Sequence, residues 1–172
     1  EILDNAMDEA VAGYASVIDL ELAADGSLIV RDNGRGIPVD PHPKFPEKSA
    51  LEVILTTLHS GGKFGSKAYA TSGGLHGVGI SVVNALAEWL VVEVARERTL
   101  YRQTYRQGAP DGPIANVGAI ANRRGTMVQF RPDAEIFGVR AKFQPARLYR
   151  MARSKAYLYR GVKIRWKCAA EL

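Results

Sequence analysis

The sequence predicts an α+β two-layer sandwich, in which helices cover one face of a mixed β-sheet. Three observations predict this fold class. Residues 1–10 have the pattern of an amphipathic helix, two strand patterns at 17–22 and 27–32 follow as a pair, and the pattern from 89 to 132 is a run of strands. No internal repeat or interdomain linker interrupts the chain, so we expect a single domain over residues 1–172.

The first helix is predicted to have one apolar and one strongly acidic face. At 100° per residue the apolar side carries Leu3, Ala6, Met7 and Ala10. The other side carries four carboxylates, one amide and no cation: Glu1, Asp4, Asn5, Asp8 and Glu9. Such a face repels itself unless a cation or a polar ligand relieves it. A merely solvated face explains these nine residues equally well on their own.

The next segments predict a hairpin and then a loop. Residues 17–22 alternate apolar with acidic side chains, and the Ala-Asp-Gly turn at 24–26 leads into a partner strand at 27–32. Four prolines and two glycines make residues 32–48 a predicted loop. Ser49 and Glu52 then form a capping box for a short helix with apolar residues as far as Leu58.

The second half of the chain predicts a glycine-rich lid followed by helices and strands. Residues 61–79 hold seven glycines, and an apolar helix is expected at 80–86. Strands are expected at 90–94, 99–105, 114–120, 126–130 and 161–167. A basic amphipathic helix is expected at 144–159, with these side chains inward: Leu148, Met151, Ala152 and Leu158.

Composition places the chain among ordinary globular domains. Hydrophobic residues make up 47% and charged residues 24% of the chain, and the net charge of +5 is only mild evidence for a nucleic-acid partner. The apolar runs are too short for a membrane span, and no signal peptide is visible. The single cysteine, Cys168, fits a reducing compartment, so a cytoplasmic protein is expected. Because the chain begins inside a helical pattern and ends soon after a strand, we interpret it as a fragment.

Several common nucleotide and metal motifs are missing. The sequence has neither a P-loop nor the G-x-G-x-x-G loop of Rossmann folds and protein kinases, and no His or Cys pair has zinc spacing. A different anion site is visible, because Gly73-Gly-Leu-His-Gly-Val-Gly79 leads directly into a helix N-terminus. A tight loop before a buried helix is the alternative explanation. Lys63 either supplies a cation to the same anion or is solvated.

Two further patterns suit the same ligand. Asp32 ends a strand before Asn-Gly-Arg-Gly-Ile-Pro, so its carboxylate could accept a hydrogen bond from an exocyclic amine such as that of adenine. An Asx-turn is an equally good explanation of Asp32. Glu1 and Asn5 lie one helical turn apart, where a general base and a metal-binding amide could reach one triphosphate–Mg²⁺ complex.

Five motifs in order resemble the ATPase domain of the B subunits of bacterial type IIA topoisomerases. They are E-x-x-D-N-A-x-D-E-A, D-N-G-R-G-I-P, L-H-S-G-G-K-F, S-G-G-L-H-G-V-G-x-S-V-V-N-A-L and G-T-M-V-x-F. The resemblance covers nearly all of the chain. It implies the Bergerat (GHKL) ATP-binding fold that gyrase shares with Hsp90, histidine kinases and MutL.

The resemblance also implies site roles, with ATP and Mg²⁺ as ligands. Glu1 resembles the general base and Asn5 the Mg²⁺ ligand, while Glu9 is expected to approach Arg35. Asp32 resembles the adenine-binding carboxylate. The other expected binding residues support Asp32, form the adenine and aminocoumarin pocket, or grip the phosphates: Thr126, Gly36, Ile37, Pro38, Arg102, Lys63, Leu75, His76, Gly77, Val78 and Gly79.

The implied partners are DNA, a breakage-reunion A subunit and, in the full-length protein, a second copy of the chain. Asn33 departs from the family, where many relatives have a second Asp. The family's N-terminal arm and transducer domain are not part of this sequence, so we expect a weakly active monomer. Residues 41–46 and 146–166 look more like topoisomerase IV than gyrase.

Two other functions remain open at this point. One is a sensor histidine kinase ATP-binding domain, which shares the Asp-x-Gly-x-Gly-Ile pattern. The other is a non-catalytic nucleic-acid-binding domain, suggested by Arg96, Arg98, Arg102, Arg106 and the basic helix from 147 to 155.

Overall fold

The computed structural model describes residues 1–57 and 79–169. Ten strands lie in this part of the chain: β1 (Val17–Leu22), β2 (Leu28–Asp32), β3 (Pro41–His42), β4 (Phe45–Ser49), β5 (Ala87–Arg96), β6 (Thr99–Arg106), β7 (Ala109–Pro110), β8 (Ala115–Ala119), β9 (Gly125–Pro132) and β10 (Lys163–Cys168). Five helices accompany them: α1 (Ile2–Val11), α2 (Ala50–Thr56), α3 (Gly79–Ala85), α4 (Ala134–Phe137) and α5 (Pro145–Leu158).

Eight of the strands form one mixed sheet. Its order is β10-β1-β2-β9-β5-β6-β7, and β8 also pairs with β6. The β1–β10 pair is parallel, whereas the other pairs are antiparallel. The remaining strands, β3 and β4, form a separate hairpin. The predicted class, a mixed sheet in a two-layer sandwich, is confirmed.

The core lies between one face of this sheet and the helices. Alternate residues of β1 and β2 are buried, as the period of two requires. The predicted apolar side of α1 packs against the same core: Leu3, Ala6, Met7 and Ala10 are all buried. The opposite sheet face is polar. There Arg165 donates to Asp19 at 2.7 Å and Lys167 to Glu21 at 3.0 Å, each across a strand pair.

The structure confirms the capping box, since the Ser49 hydroxyl accepts a hydrogen bond from the Glu52 backbone N–H at 3.1 Å. It corrects three other expectations. The predicted loop at 32–48 contains the β3–β4 hairpin, and the short elements β7 and α4 had no expected counterpart.

The third correction concerns α5. Leu148 and Ala152 are buried as predicted, but Met151 is 38% and Leu158 86% exposed. This helix packs mainly on β10, the edge strand, so only a narrow part of its apolar stripe is covered. No helix in the described ranges has the length and apolarity that a membrane crossing needs.

Candidate functional site

The site is built around Asp32, the last residue of β2. Its position opposite Ile18 directs the side chain to the helix-covered face of the sheet, where it is only 5% exposed. The carboxylate oxygen Oδ1 accepts a hydrogen bond from the Gly34 N–H at 2.8 Å, which is the predicted Asx-turn, and a longer one from the Thr126 N–H at 3.4 Å. Both bonds go to Oδ1, and no residue within 1–57 and 79–169 donates to Oδ2, so this oxygen can accept a hydrogen bond from a ligand.

Two glycines allow the backbone to lie closer to Asp32 than any residue with a Cβ atom would allow. A Cβ atom added at Gly34 would lie 2.9 Å from Asp32 Oδ1 and 2.7 Å from Glu9 Oε2. One added at Gly125 would lie only 2.2 Å from the Asp32 carbonyl oxygen, and Gly125 also has a φ of +102°. The polypeptide therefore approaches Asp32 with bare backbone on both sides.

Burial, helped by the nearby charge of Glu9, raises the pKa of Asp32 from its ordinary 3.8 to about 6, in spite of the backbone hydrogen bonds to its carboxylate. A buried carboxylate with a perturbed pKa is a candidate binding group in addition to its role in the Asx-turn.

The loop after Asp32 forms an apolar wall beside it. Pro38 is buried and Ile37 packs against the core. The Ile37 N–H donates to the Thr126 hydroxyl at 3.1 Å, which ties the loop to β9. Gly36 has a φ of +82°, and a Cβ there would lie 2.9 Å from a methyl group of Val94. The structure thus brings Gly36, Ile37, Pro38 and Thr126 close to Asp32, and their role in binding stays a prediction.

Glu9 and Arg35 connect this loop to α1. The Arg35 guanidinium donates to both Glu9 oxygens, at 2.7 Å and 3.2 Å, and the Arg35 backbone N–H donates at 2.9 Å. The guanidinium also lies 3.7 Å from the centre of the Tyr14 ring. Burial alone would raise the pKa of Glu9, but the hydrogen bonds and charge of Arg35 outweigh it and hold that pKa below its ordinary value.

Cations from distant parts of the chain neutralise part of the negative charge on the acidic face of α1. Arg35 pairs with Glu9, and Lys155 of α5 pairs with Asp4. Burial raises the pKa of Asp8, and the charges of Asp4 and Glu9 raise it further. This face is therefore more than a solvated acidic surface.

Glu1 and Asn5 lie on the same face of α1, one turn apart. Asn5 is half-buried, whereas the Glu1 side chain is exposed. Gly79, the first residue of α3, lies against Glu1, because a Cβ atom added there would fall 2.0 Å from Glu1 Oε2. The structure thus brings the predicted base next to the end of the predicted phosphate loop.

Six predicted residues remain to be placed. Lys63, Leu75, His76, Gly77 and Val78 lie outside the described residues. Arg102 is exposed on β6 opposite Glu93, on the sheet face away from Asp32, so the structure does not bring it to the others.

The site has few protein groups that could bind a metal ion, which suits an ion held partly by the protein and partly by a bound ligand. Within 1–57 and 79–169, no three His, Cys, Asp or Glu side chains converge into a metal site. Mg²⁺ usually takes one or two protein oxygens together with phosphate oxygens and water. The amide oxygen of Asn5, near Glu1, fits such a partial site.

Three contributors were missed or undervalued at the level of sequence. Tyr14 stacks on Arg35, and Arg96 donates to the Gly36 carbonyl at 3.2 Å. Asn33, the departure from the family pattern, accepts the backbone N–H groups of Ser16 and Val17 at 2.8 and 3.0 Å. Its amide therefore fixes the start of β1, a role that leaves Asp32 free. No local pattern marks these contacts, since each depends on tertiary structure.

Comparison with known proteins agrees with this geometry. The profile of the family described as histidine kinase-, DNA gyrase B- and HSP90-like ATPase matches residues 1–136. The chain belongs to this ATPase family. Membership implies that it uses ATP.

The relatives of this ATPase include components of type II topoisomerases. The B subunit of DNA topoisomerase 4 from Caulobacter vibrioides is 64% identical and that from Bartonella bacilliformis 62% identical, each over 98% of this chain and 24% of the relative. The B subunit of DNA gyrase from Myxococcus xanthus is 50% identical over 95% of the chain and 20% of the relative. The ATPase thus spans about a quarter of the length of these relatives.

A solved structure supports the same assignment of the fold. The 43K ATPase domain of Thermus thermophilus gyrase B, in complex with an aminocoumarin, superimposes with a TM-score of 0.83. It is 46% identical, and the match covers 97% of this chain and 41% of that one. The GHKL fold expected from the motifs is therefore confirmed.

Proposed function

We propose that this chain binds and hydrolyses ATP as the ATPase domain of the B subunit of a bacterial type II topoisomerase. The observation that carries the proposal is the buried Asp32 carboxylate, with Oδ1 held by backbone N–H groups and Oδ2 open beside bare glycine backbone. An exocyclic amine is a suitable donor for Oδ2, because a charge-assisted hydrogen bond in a dry site is strong and directional.

The residues around Asp32 suit the purine of ATP. Ile37 and Pro38 supply an apolar wall for the ring, and Gly36 keeps that wall close to β5. The Thr126 backbone N–H donates to the Asp32 carboxylate, and the Thr126 hydroxyl accepts a hydrogen bond from the Ile37 N–H in the loop after Asp32. The same pocket is proposed to accept aminocoumarin-type inhibitors, consistent with the ligand of the Thermus thermophilus structure.

The acidic face of α1 suits the triphosphate end. Asn5 would hold Mg²⁺, which supplies positive charge that offsets the phosphate oxygens. Glu1 is exposed beside Gly79, so its carboxylate is available to take a proton from an attacking water. Lys63 and the amides of residues 75–79 are proposed to bind the phosphates.

The activity of the whole protein is part of the proposal. ATP binding would favour a closed dimer that traps DNA, and hydrolysis would reset it, with a breakage-reunion A subunit cutting the DNA. The identities of 62% and 64% to the topoisomerase 4 relatives, against 50% to the gyrase relative, favour topoisomerase IV. They also favour the topoisomerase class over a sensor histidine kinase. A cytoplasmic location follows from this role.

Calorimetry with a non-hydrolysable ATP analogue and Mg²⁺ tests the proposal. Asp32→Asn should abolish detectable binding, because an amide N–H would face the amine of the base. Asp133→Asn is the matched control, since Asp133 is also buried and also accepts a backbone N–H, from Glu135 at 2.8 Å. Unchanged affinity in Asp32→Asn, or equal losses in both variants, would contradict the adenine assignment.

A further inference from the structure

The outward face of α5 is basic and has no function in the site described above. Residues 136–170 contain no Asp or Glu. The same segment contains ten cations: Arg140, Lys142, Arg147, Arg150, Arg153, Lys155, Arg160, Lys163, Arg165 and Lys167. A segment of this composition is either neutralised by carboxylates from elsewhere in the fold or carries a positive surface.

The fold neutralises only the cations that face other elements. Lys155 pairs with Asp4 of α1, while Arg165 and Lys167 pair with Asp19 and Glu21 of β1. In contrast, Arg147, Arg150 and Arg153 have no acidic partner among the described residues, and all three are exposed. The remaining positive charge lies on the outer side of α5 and next to its ends, where Arg140, Lys142, Arg160 and Lys163 also have no acidic partner among the described residues.

These three arginines share their arc of α5 with polar and aromatic side chains. The helical repeat of 100° per residue places Ser154 and Tyr157 between them, and Tyr149 about 40° beyond Arg153. The guanidinium of Arg153 lies 5.4 Å from the centre of the Tyr157 ring, which is 74% exposed. Tyrosine hydroxyls can donate hydrogen bonds to DNA phosphates beside such arginines.

We propose that this outer face of α5 binds the phosphate backbone of duplex DNA. Guanidinium groups match phosphate oxygens in bidentate geometry, and all the cations of this exposed arc are arginines. Arg147 and Arg153 are six residues apart, which is about 9 Å along the axis at 1.5 Å per residue. Three such groups can therefore reach successive phosphates. The choice of DNA over another polyanion rests on the proposed function.

The structure argues against an anionic membrane as the partner. A helix that lies on a membrane inserts its apolar side into the lipid. Leu148 and Ala152 of α5 are buried in the core, so Met151 and Leu158, at 38% and 86% exposed, are the large aliphatic side chains of this helix that could enter lipid. Two such side chains give α5 little to insert, whereas its three outward arginines suit contact with phosphates in water.

The proposed DNA surface is separate from the nucleotide site. However, the opposite side of the same helix, α5, contacts α1, which carries part of that site. On the inner side of α5 Lys155 pairs with Asp4, and the Tyr159 hydroxyl, just beyond the helix, donates to the Ala10 carbonyl at 3.0 Å. DNA binding should therefore need no nucleotide, and nucleotide binding should not need the three arginines.

Fluorescence anisotropy with a labelled duplex, measured over a series of salt concentrations, tests the proposal. The triple variant Arg147→Gln, Arg150→Gln, Arg153→Gln should weaken binding about tenfold or more near 0.1 M salt. Its plot of log affinity against log salt should also be shallower by about 0.9 for each lost phosphate contact. The matched control Arg31→Gln, Arg98→Gln, Arg106→Gln removes the same charge from other exposed positions and should retain most of the affinity.

Three results would overturn this inference. They are equal losses in the two triple variants, no DNA binding by the parent chain, and tighter binding to phosphatidylserine vesicles than to the duplex. The proposed ATP function is tested separately, because Asp32→Asn should still bind DNA and the α5 variant should still bind the ATP analogue. Loss of DNA binding in Asp32→Asn would also count against a separate surface on α5.

Discussion

Arg35 saturates the carboxylate of Glu9. Three N–H groups of one residue reach its two oxygens, at 2.7, 2.9 and 3.2 Å, while Tyr14 covers the guanidinium. Glu9 therefore has little capacity left for a ligand. Its function in the proposed site is to position the loop that follows Asp32.

Glu9→Gln should destabilise the fold by about 2 kcal/mol at pH 7, the range of a hydrogen-bonded charge. Because the folded pKa of Glu9 is below its ordinary 4.5, its contribution is complete above that pH and is lost as the pH falls through the folded value. Urea denaturation at pH 7 and at pH 3.5 should therefore show the difference between parent and variant shrinking in acid. Glu97→Gln is the control, since Glu97 is 85% exposed and its pair with Arg96 is long, at 3.7 Å.

Asp32→Asn should stabilise the ligand-free protein while it abolishes nucleotide binding. The folded pKa of about 6 exceeds the ordinary 3.8, so above pH 6 the fold bears the cost of a buried charge. At about 1.4 kcal/mol per pKa unit this cost is on the order of 3 kcal/mol. The parent should become more stable relative to the variant as the pH falls from about 6 to about 4. Thermal unfolding across this range checks the prediction, and a variant less stable than the parent at pH 7 would contradict it.

Gly125→Ala should be severely destabilising because its Cβ would overlap the Asp32 carbonyl. The control is Gly118→Ala, because Gly118 also has a positive φ, +132°, but nothing lies within 4 Å of an added Cβ. Both variants carry backbone strain of about 1–2 kcal/mol, so the difference between them reports the close approach alone. We expect the Gly125 variant to lose at least about 2 kcal/mol more than the control. If the two variants have equal midpoints of unfolding in guanidinium, the backbone at Gly125 can move away from Asp32.

Local sequence patterns were sufficient to predict the buried residues where a helical or strand repeat was clear. The apolar stripe of α1 and the alternation of β1 predicted their buried residues correctly, since each depends only on residues a few positions apart. Asp32 was recognisable for the same reason, as a strand end followed by glycines.

What the sequence could not predict depends on tertiary contacts. The partner of Asp4, Lys155, lies 151 residues away, and nothing local marks it. Leu158 fits a helical apolar stripe, but α5 runs along the sheet edge, where that end of the stripe has no core to cover it. Tyr14 stacks on Arg35 only because the loop after β2 returns to α1.

Glu1→Ala, made in the longer protein that the relatives represent, should retain binding of the ATP analogue and lose turnover. The side chain is exposed, so its removal should not disturb the fold. Losing a positioned general base typically costs about 10²–10⁴ in rate. Asp25→Ala, on the turn between β1 and β2, is the control for removal of an exposed carboxylate. Steady-state hydrolysis together with calorimetry separates the two effects, and normal turnover would remove Glu1 as the base.

Lys155 should control the protonation of the acidic face of α1. Burial alone would raise the pKa of Asp4, but Lys155 outweighs it and holds that pKa below the ordinary value. The same charge offsets part of the rise at Asp8, which burial, Asp4 and Glu9 produce. Lys155→Gln should therefore raise the pKa of both carboxyl groups, as measured by carbon NMR of the side chains during titration.

The stability change in Lys155→Gln should be small by comparison, under about 1 kcal/mol, because the Asp4 side chain is 49% exposed and solvent screens the pair. Asp4 contributes its share above pH 3.8 and loses it as the pH falls through the lowered folded value. Lys44→Gln removes an exposed lysine from the β3–β4 turn and should leave both titrations unchanged. If Asp4 and Asp8 titrate identically in the two variants, Lys155 is not the cation that relieves this face.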